Sequence, residues 1–95
     1  MHIVFLKFGP NRTQASHWMA QHNEWIQTGI SDGTFLMAGS LEGGQGGAIL
    51  AKGLTMEEIA ERVAQDPFVI HQVVLPQIHS IAPSRMSEGF ATLAT

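Results

Sequence analysis

Ninety-five residues make one small domain, 44% hydrophobic and only 14% charged, which is lean on charge for a monomer that covers all its own apolar surface. A formal net charge of −3, with five scattered Lys and Arg, excludes a nucleic-acid surface, which needs clustered cations. The lack of cysteine excludes a disulfide framework, a thiol nucleophile and a thiolate metal site.

Residues 2–8 read as a strand, rich in β-branched and aromatic side chains, with no basic leader before it. Gly9-Pro10-Asn11 breaks it. Residues 13–31 have helical periodicity. At 100° per residue, His22, Trp25, Ile26 and Gly29 fall within about 80° of Trp18, and Ala15 and Met19 widen the same stripe, with Asn23 on another side. Asp32-Gly33 ends this helix with a residue suited to left-handed backbone. A second strand is expected over 34–38, a glycine-rich loop over 39–47, and a third strand over 48–52. Thr55-Met56-Glu57-Glu58 is a capping box that opens a helix to about residue 64. Asp66-Pro67 starts a turn or short helix, with Asp as cap and Pro at the first position. A long last strand is expected over 71–81, kinked or edge-placed at Pro76. The domain is expected over 1–83, with 84–95 as a C-terminal tail. No apolar run approaches the roughly 18–20 residues of a membrane span, and a cytoplasmic protein with no membrane partner is expected.

The order is β-α-β-β-α-β, an α+β ferredoxin-like pattern with a four-stranded antiparallel sheet. Its two helices cover one face. The other face needs an apolar partner, and a second copy in a homodimer, or a higher oligomer, would supply it.

An imidazole on an apolar helical stripe needs a partner, because an unpaired buried polar group costs roughly 1–3 kcal/mol. Taken alone, His22 reads first as a satisfied core histidine, and Asp66 as a helix cap worth about 1 kcal/mol. Trp18 and Trp25 read first as core. His17 and His22 stand about 140° apart round the helix and cannot form a metal pair. His71 and His79, if both in the last strand, lie roughly 26 Å apart. His2 shares the parity of Val4, Leu6 and Phe8 and can join a sheet-side pocket wall. No metal site is expected. The run Gly43-Gly44-Gln45-Gly46-Gly47 lacks the Lys-Ser/Thr of a phosphate loop and precedes a strand, so it reads as a hairpin loop able to act as a lid.

His22, Gly33 eleven residues on, Phe35-Leu36-Met37-Ala38-Gly39, the Gly47-Ala48-Ile49-Leu50 strand and Asp66-Pro67-Phe68-Val69 together resemble the YCII-related (YciI-like) family of dimeric α+β barrel proteins. The similarity spans about residues 1–83. It implies a dimeric α+β barrel with His22 and Asp66 as an active-site dyad, and one branch of the family resembles a dehydrochlorinase of hydroxylated chloroaromatics. The chain departs from the family pattern at Ser40, where proline is common, and in a longer last strand, both near the expected pocket rim.

With the resemblance added, the expected function is a cofactor-independent lyase or isomerase working by general acid–base catalysis, typically worth 10²–10⁴-fold. His22 would abstract a proton and Asp66 would orient it. Trp18, Trp25 and Phe68 would wall a flat ring, with Ser40 and His2 at the pocket edge. Dehydrochlorination is the sharpest version. The alternatives are a cofactor-independent monooxygenase of similar fold, which would consume oxygen, and a non-catalytic dimer that binds a metabolite.

Overall fold

The computed structural model describes residues 1–94. Strand β1 (His2–Phe8) is followed by a 3-10 turn (Arg12–Gln14) and helix α1 (Ala15–Ser31). Then come β2 (Phe35–Ser40), β3 (Gly46–Ala51), α2 (Met56–Val63), α3 (Pro67–Ile70), β4 (Val74–Ser80) and α4 (Glu88–Ala94). The four strands form one sheet in the order β2-β3-β1-β4, each neighbour antiparallel. This is the expected ferredoxin-like arrangement.

Alternation along β1 sets the two faces. His2, Val4 and Leu6 are buried toward the helices, and their partners Ala51, Ile49 and Gly47 on β3 share that side. Phe35 of β2, Ile59 and Val63 of α2 and Phe68 of α3 complete the apolar layer between sheet and helices. The other face carries Ile3, Phe5 and Leu50, with Met37 and Leu75 still 52% and 51% exposed.

Local chemistry explains where the helices begin and how closely they pack. Thr55 accepts from the Glu58 backbone N–H while the Glu58 carboxylate accepts from the Thr55 N–H, the reciprocal cap expected from sequence. Those bonds hold the Glu58 carboxyl below its usual range. Gly29 lets α1 lie directly on the Phe35 ring, where any β-carbon would collide. Just before the left-handed Gly33, Asp32 of the α1 C-cap pairs with Arg62 of α2 at 2.6 Å.

Several expectations change. The hairpin loop is shorter than expected, because β2 continues to Ser40 and β3 begins at Gly46. The last strand begins at Val74, not at 71. Asp66 nucleates α3 through Ile70, His71 caps its C-terminus, and Gln72 turns the chain with a φ of 57°. His71 therefore lies outside the strand that carries His79. Pro76 sits on the edge strand in unbroken register with Leu6, so edge placement accommodates its missing N–H. Part of the 84–95 segment is helical, as α4.

Between Phe35 and Met37 the β2–β3 register shifts by one residue. Phe35 pairs with Ala51, whereas Ala38 pairs with Ile49 and Ser40 with Gly47. The extra residue turns Ala38 and Ser40 to the helix side, which unbroken alternation from Phe35 would have denied them. Among the described residues no helix is long and apolar enough to cross a membrane.

Candidate functional site

Asp66 stands at the junction of α2 and α3, and its carboxylate is fully buried. Its Oδ1 accepts the Phe68 backbone N–H at 3.0 Å, as an N-cap should before a proline at the first helical position. The same Oδ1 lies 2.8 Å from Nδ1 of His22, halfway along α1. Cap and dyad are therefore one oxygen. Oδ2 is buried with no hydrogen-bond partner among the described residues.

The carboxylate only accepts, so it holds the imidazole proton on Nδ1 and leaves Nε2 as the nitrogen available to a bound molecule. Phe68 stacks on the His22 ring, with centroids 3.8 Å apart and planes within 4°. Carboxylate and stack together fix both the rotation and the tautomer of a residue that is only 9% exposed.

His22 opens onto a cavity of about 340 Å3 between α1 and the sheet. That is at the small end for ligand sites and suits a single substituted ring. Leu6, Ile49 and Val74 form its sheet side, and Met19 and Ile26 its helix side. Its polar side chains are His22, Asn23 and Ser40, and among the described residues no Lys, Arg, Asp or Glu side chain lines it. No three His, Asp or Glu side chains gather as a metal site among those residues.

His22, Asp66, Phe68 and Ser40 thus come together as sequence suggested. Trp18, Trp25 and His2 do not line the cavity. Trp18 stacks face to face on His71 at 3.6 Å, with its buried Nε1 unpartnered among the described residues. Trp25 packs edge-on against Phe35 and donates from Nε1 to the Arg62 carbonyl at 3.2 Å, tying α1 to α2. His2 has the expected parity but stands at the far end of β1 from Leu6, roughly 13 Å along an extended strand. Its ring is held by Ser80 Oγ at 2.7 Å and the Leu54 carbonyl at 2.6 Å. The sequence reading missed Asn23, placed on another side of the helix, and the lining roles of Met19 and Ile26. The flank of the apolar stripe that carries Met19 and Ile26 was the available signal.

The fold has a solved counterpart. The chain is similar to 5-chloro-2-hydroxyhydroquinone dehydrochlorinase (TftG) of Burkholderia phenoliruptrix, solved in complex with 2,5-dihydroxybenzoquinone, at a TM-score of 0.72 and 13% identity. The match covers 85% of this chain and 92% of that one, and at this identity it shows the fold alone. No family model and no curated protein sequence matches the chain.

Proposed function

We propose that this protein is a cofactor-independent acid–base enzyme acting on a small hydroxylated ring, with His22 moving the proton and Asp66 orienting it. The observation that carries this reading is the 2.8 Å contact between His22 Nδ1 and a fully buried carboxylate, in a ring that lines an apolar cavity. A fixed tautomer beside a mostly apolar pocket is what general base catalysis needs. Phe68 and Ser40 complete the substrate site, while Trp18, Trp25 and His2 stand outside the cavity.

The sharpest version is dehydrochlorination of a hydroxylated chloroaromatic, suggested by the YCII-like motifs and by the fold shared with a dehydrochlorinase. His22 Nε2 takes a hydroxyl proton and returns it to the chlorine-bearing carbon. Loss of a second hydroxyl proton then expels chloride, so the ring loses HCl overall and becomes a quinone. The hydroquinone carbons are oxidised as the carbon–chlorine bond is reduced, and no external acceptor is needed. We further propose that the apolar sheet face joins a second copy in a homodimer, and that the cysteine-free chain works in the cytoplasm.

The test is chloride release from 5-chloro-2-hydroxyhydroquinone in oxygen-free buffer by the native chain and His22→Ala. Turnover that falls at least about 100-fold in the variant is expected. Equal rates would overturn the assignment of His22. Oxygen uptake in air with no chloride released would point to a monooxygenase, and saturable binding with no product to a binding module.

A further inference from the structure

We infer that Asn23 and Ser40 form a second polar anchor at the mouth of the cavity, so that the site selects an uncharged ring with a hydrogen-bonding substituent at each end. The inference rests on the reading of His22 as the inner polar group and deepens it.

The cavity is graded from inside to outside. His22 is buried at its inner end, whereas Asn23 and Ser40 are both exposed and still line it. Between them the wall is apolar, with Met19, Ile26, Leu6 and Ile49. Within the described residues neither Asn23 nor Ser40 spends its side chain on another hydrogen bond. Each is both donor and acceptor, so together they can take a hydroxyl or a carbonyl. The backbone brings both to the same cavity. Asn23 follows His22 on α1 and shares the flank of Met19 and Ile26, while the register shift in β2 turns Ser40 to the same side of the sheet. Opposite Ser40 stands Gly47, which puts no side chain into the gap.

Charge sets the second half of the selectivity. With no Lys or Arg side chain among the lining residues, a carboxylate or phosphate on the ring would meet no ion pair to offset its lost hydration. A neutral hydroxyl at the mouth can exchange its water for the amide of Asn23 and the hydroxyl of Ser40.

The experiment titrates phenol, hydroquinone and 4-hydroxybenzoate into the full chain in oxygen-free buffer, following the Met19 methyl NMR signal. Hydroquinone should bind about fivefold or more tightly than phenol, the gain of one ordinary hydrogen bond. 4-Hydroxybenzoate should bind no better than phenol. The double variant Asn23→Ala, Ser40→Ala should bring hydroquinone down to the level of phenol and leave phenol unchanged; both sites are exposed, and an unaltered circular dichroism spectrum checks the fold. Equal affinity for phenol and hydroquinone, a preference that survives the double variant, or tightest binding of 4-hydroxybenzoate would each overturn the anchor. So would a Met19 signal that no phenol shifts, which would also remove the ring site. His22→Ala separates the two readings. Undiminished chloride release by His22→Ala, beside a hydroquinone affinity that still falls when Asn23→Ala and Ser40→Ala are added, would sink the proton-transfer role and leave the anchor standing.

Discussion

His22 and Asp66, 44 residues apart, meet through the same carboxylate oxygen that caps α3. The position of the dyad is therefore inseparable from the start of a helix. Anything that moves Pro67 moves the group that orients the imidazole. The economy of this arrangement leaves Oδ2 buried and unpaired, which concentrates the carboxylate's interactions on one atom.

Replacing Asp66 separates the two duties. Asp66→Asn can keep an oxygen for both the Phe68 N–H and the His22 Nδ1–H, but without the carboxylate charge it favours the proton on Nδ1 less strongly. Nitrogen-15 NMR of His22 should show the Nδ1–H tautomer in the native chain and a mixture in the variant. Turnover should fall by about 10²–10⁴-fold if the chemistry is proton transfer. Asp66→Ala should in addition cost about 2–4 kcal/mol by urea unfolding, from a lost cap and an unpaired buried imidazole.

Gly29→Ala should destabilise the fold by about 1–3 kcal/mol or more, because the new β-carbon collides with the Phe35 ring. Alanine favours helix, so propensity alone predicts the opposite sign. A lower urea midpoint with an unchanged slope would confirm that packing wins; a raised midpoint would refute it.

The Arg62 guanidinium, with help from Thr34, holds the Asp32 carboxyl down at about 2, below its ordinary 3.8. A depressed folded value means the contribution is complete above about pH 3.8 and disappears as pH falls toward 2. The pair is exposed, so the effect is less than about 1 kcal/mol. Asp32→Asn should flatten this part of the acid-unfolding profile and leave stability at pH 7 nearly unchanged. A profile identical to that of the native chain would show the pair to be energetically silent.

If the sheet face joins two copies, sedimentation at micromolar concentration should give twice the chain mass, and Met37→Glu should halve it. Met37 is half exposed and points away from the helices, so the substitution adds a charge to the proposed interface without disturbing the core. A native mass equal to one chain would remove the dimer from the proposal.

The order of elements was legible in the sequence because local chemistry enforces it. Alternation marks β1, the capping box starts α2, Asp66-Pro67 starts α3 and Gly33 ends α1. The same local signals picked out His22 as a polar residue on an apolar stripe, and Asp66 as a cap. Two features escaped. His71 left the last strand because α3 runs to Ile70, and a capped proline turn does not reveal how many residues will follow it. Trp18 and Trp25 share the stripe of His22, but a stripe specifies a face and not which part of that face borders a void.

By itself the sequence determined the order of the strands and helices of the domain, and that a histidine and a carboxylate needed partners. Only the tertiary structure decided that they partner each other through one oxygen. It alone turned Ser40 toward the helices and left a cavity beside Asn23 without a cation. The physical reason is range. Capping, periodicity and turn conformation act within about four residues, whereas a β-bulge depends on how two strands pair, and a cavity is whatever volume distant side chains fail to fill.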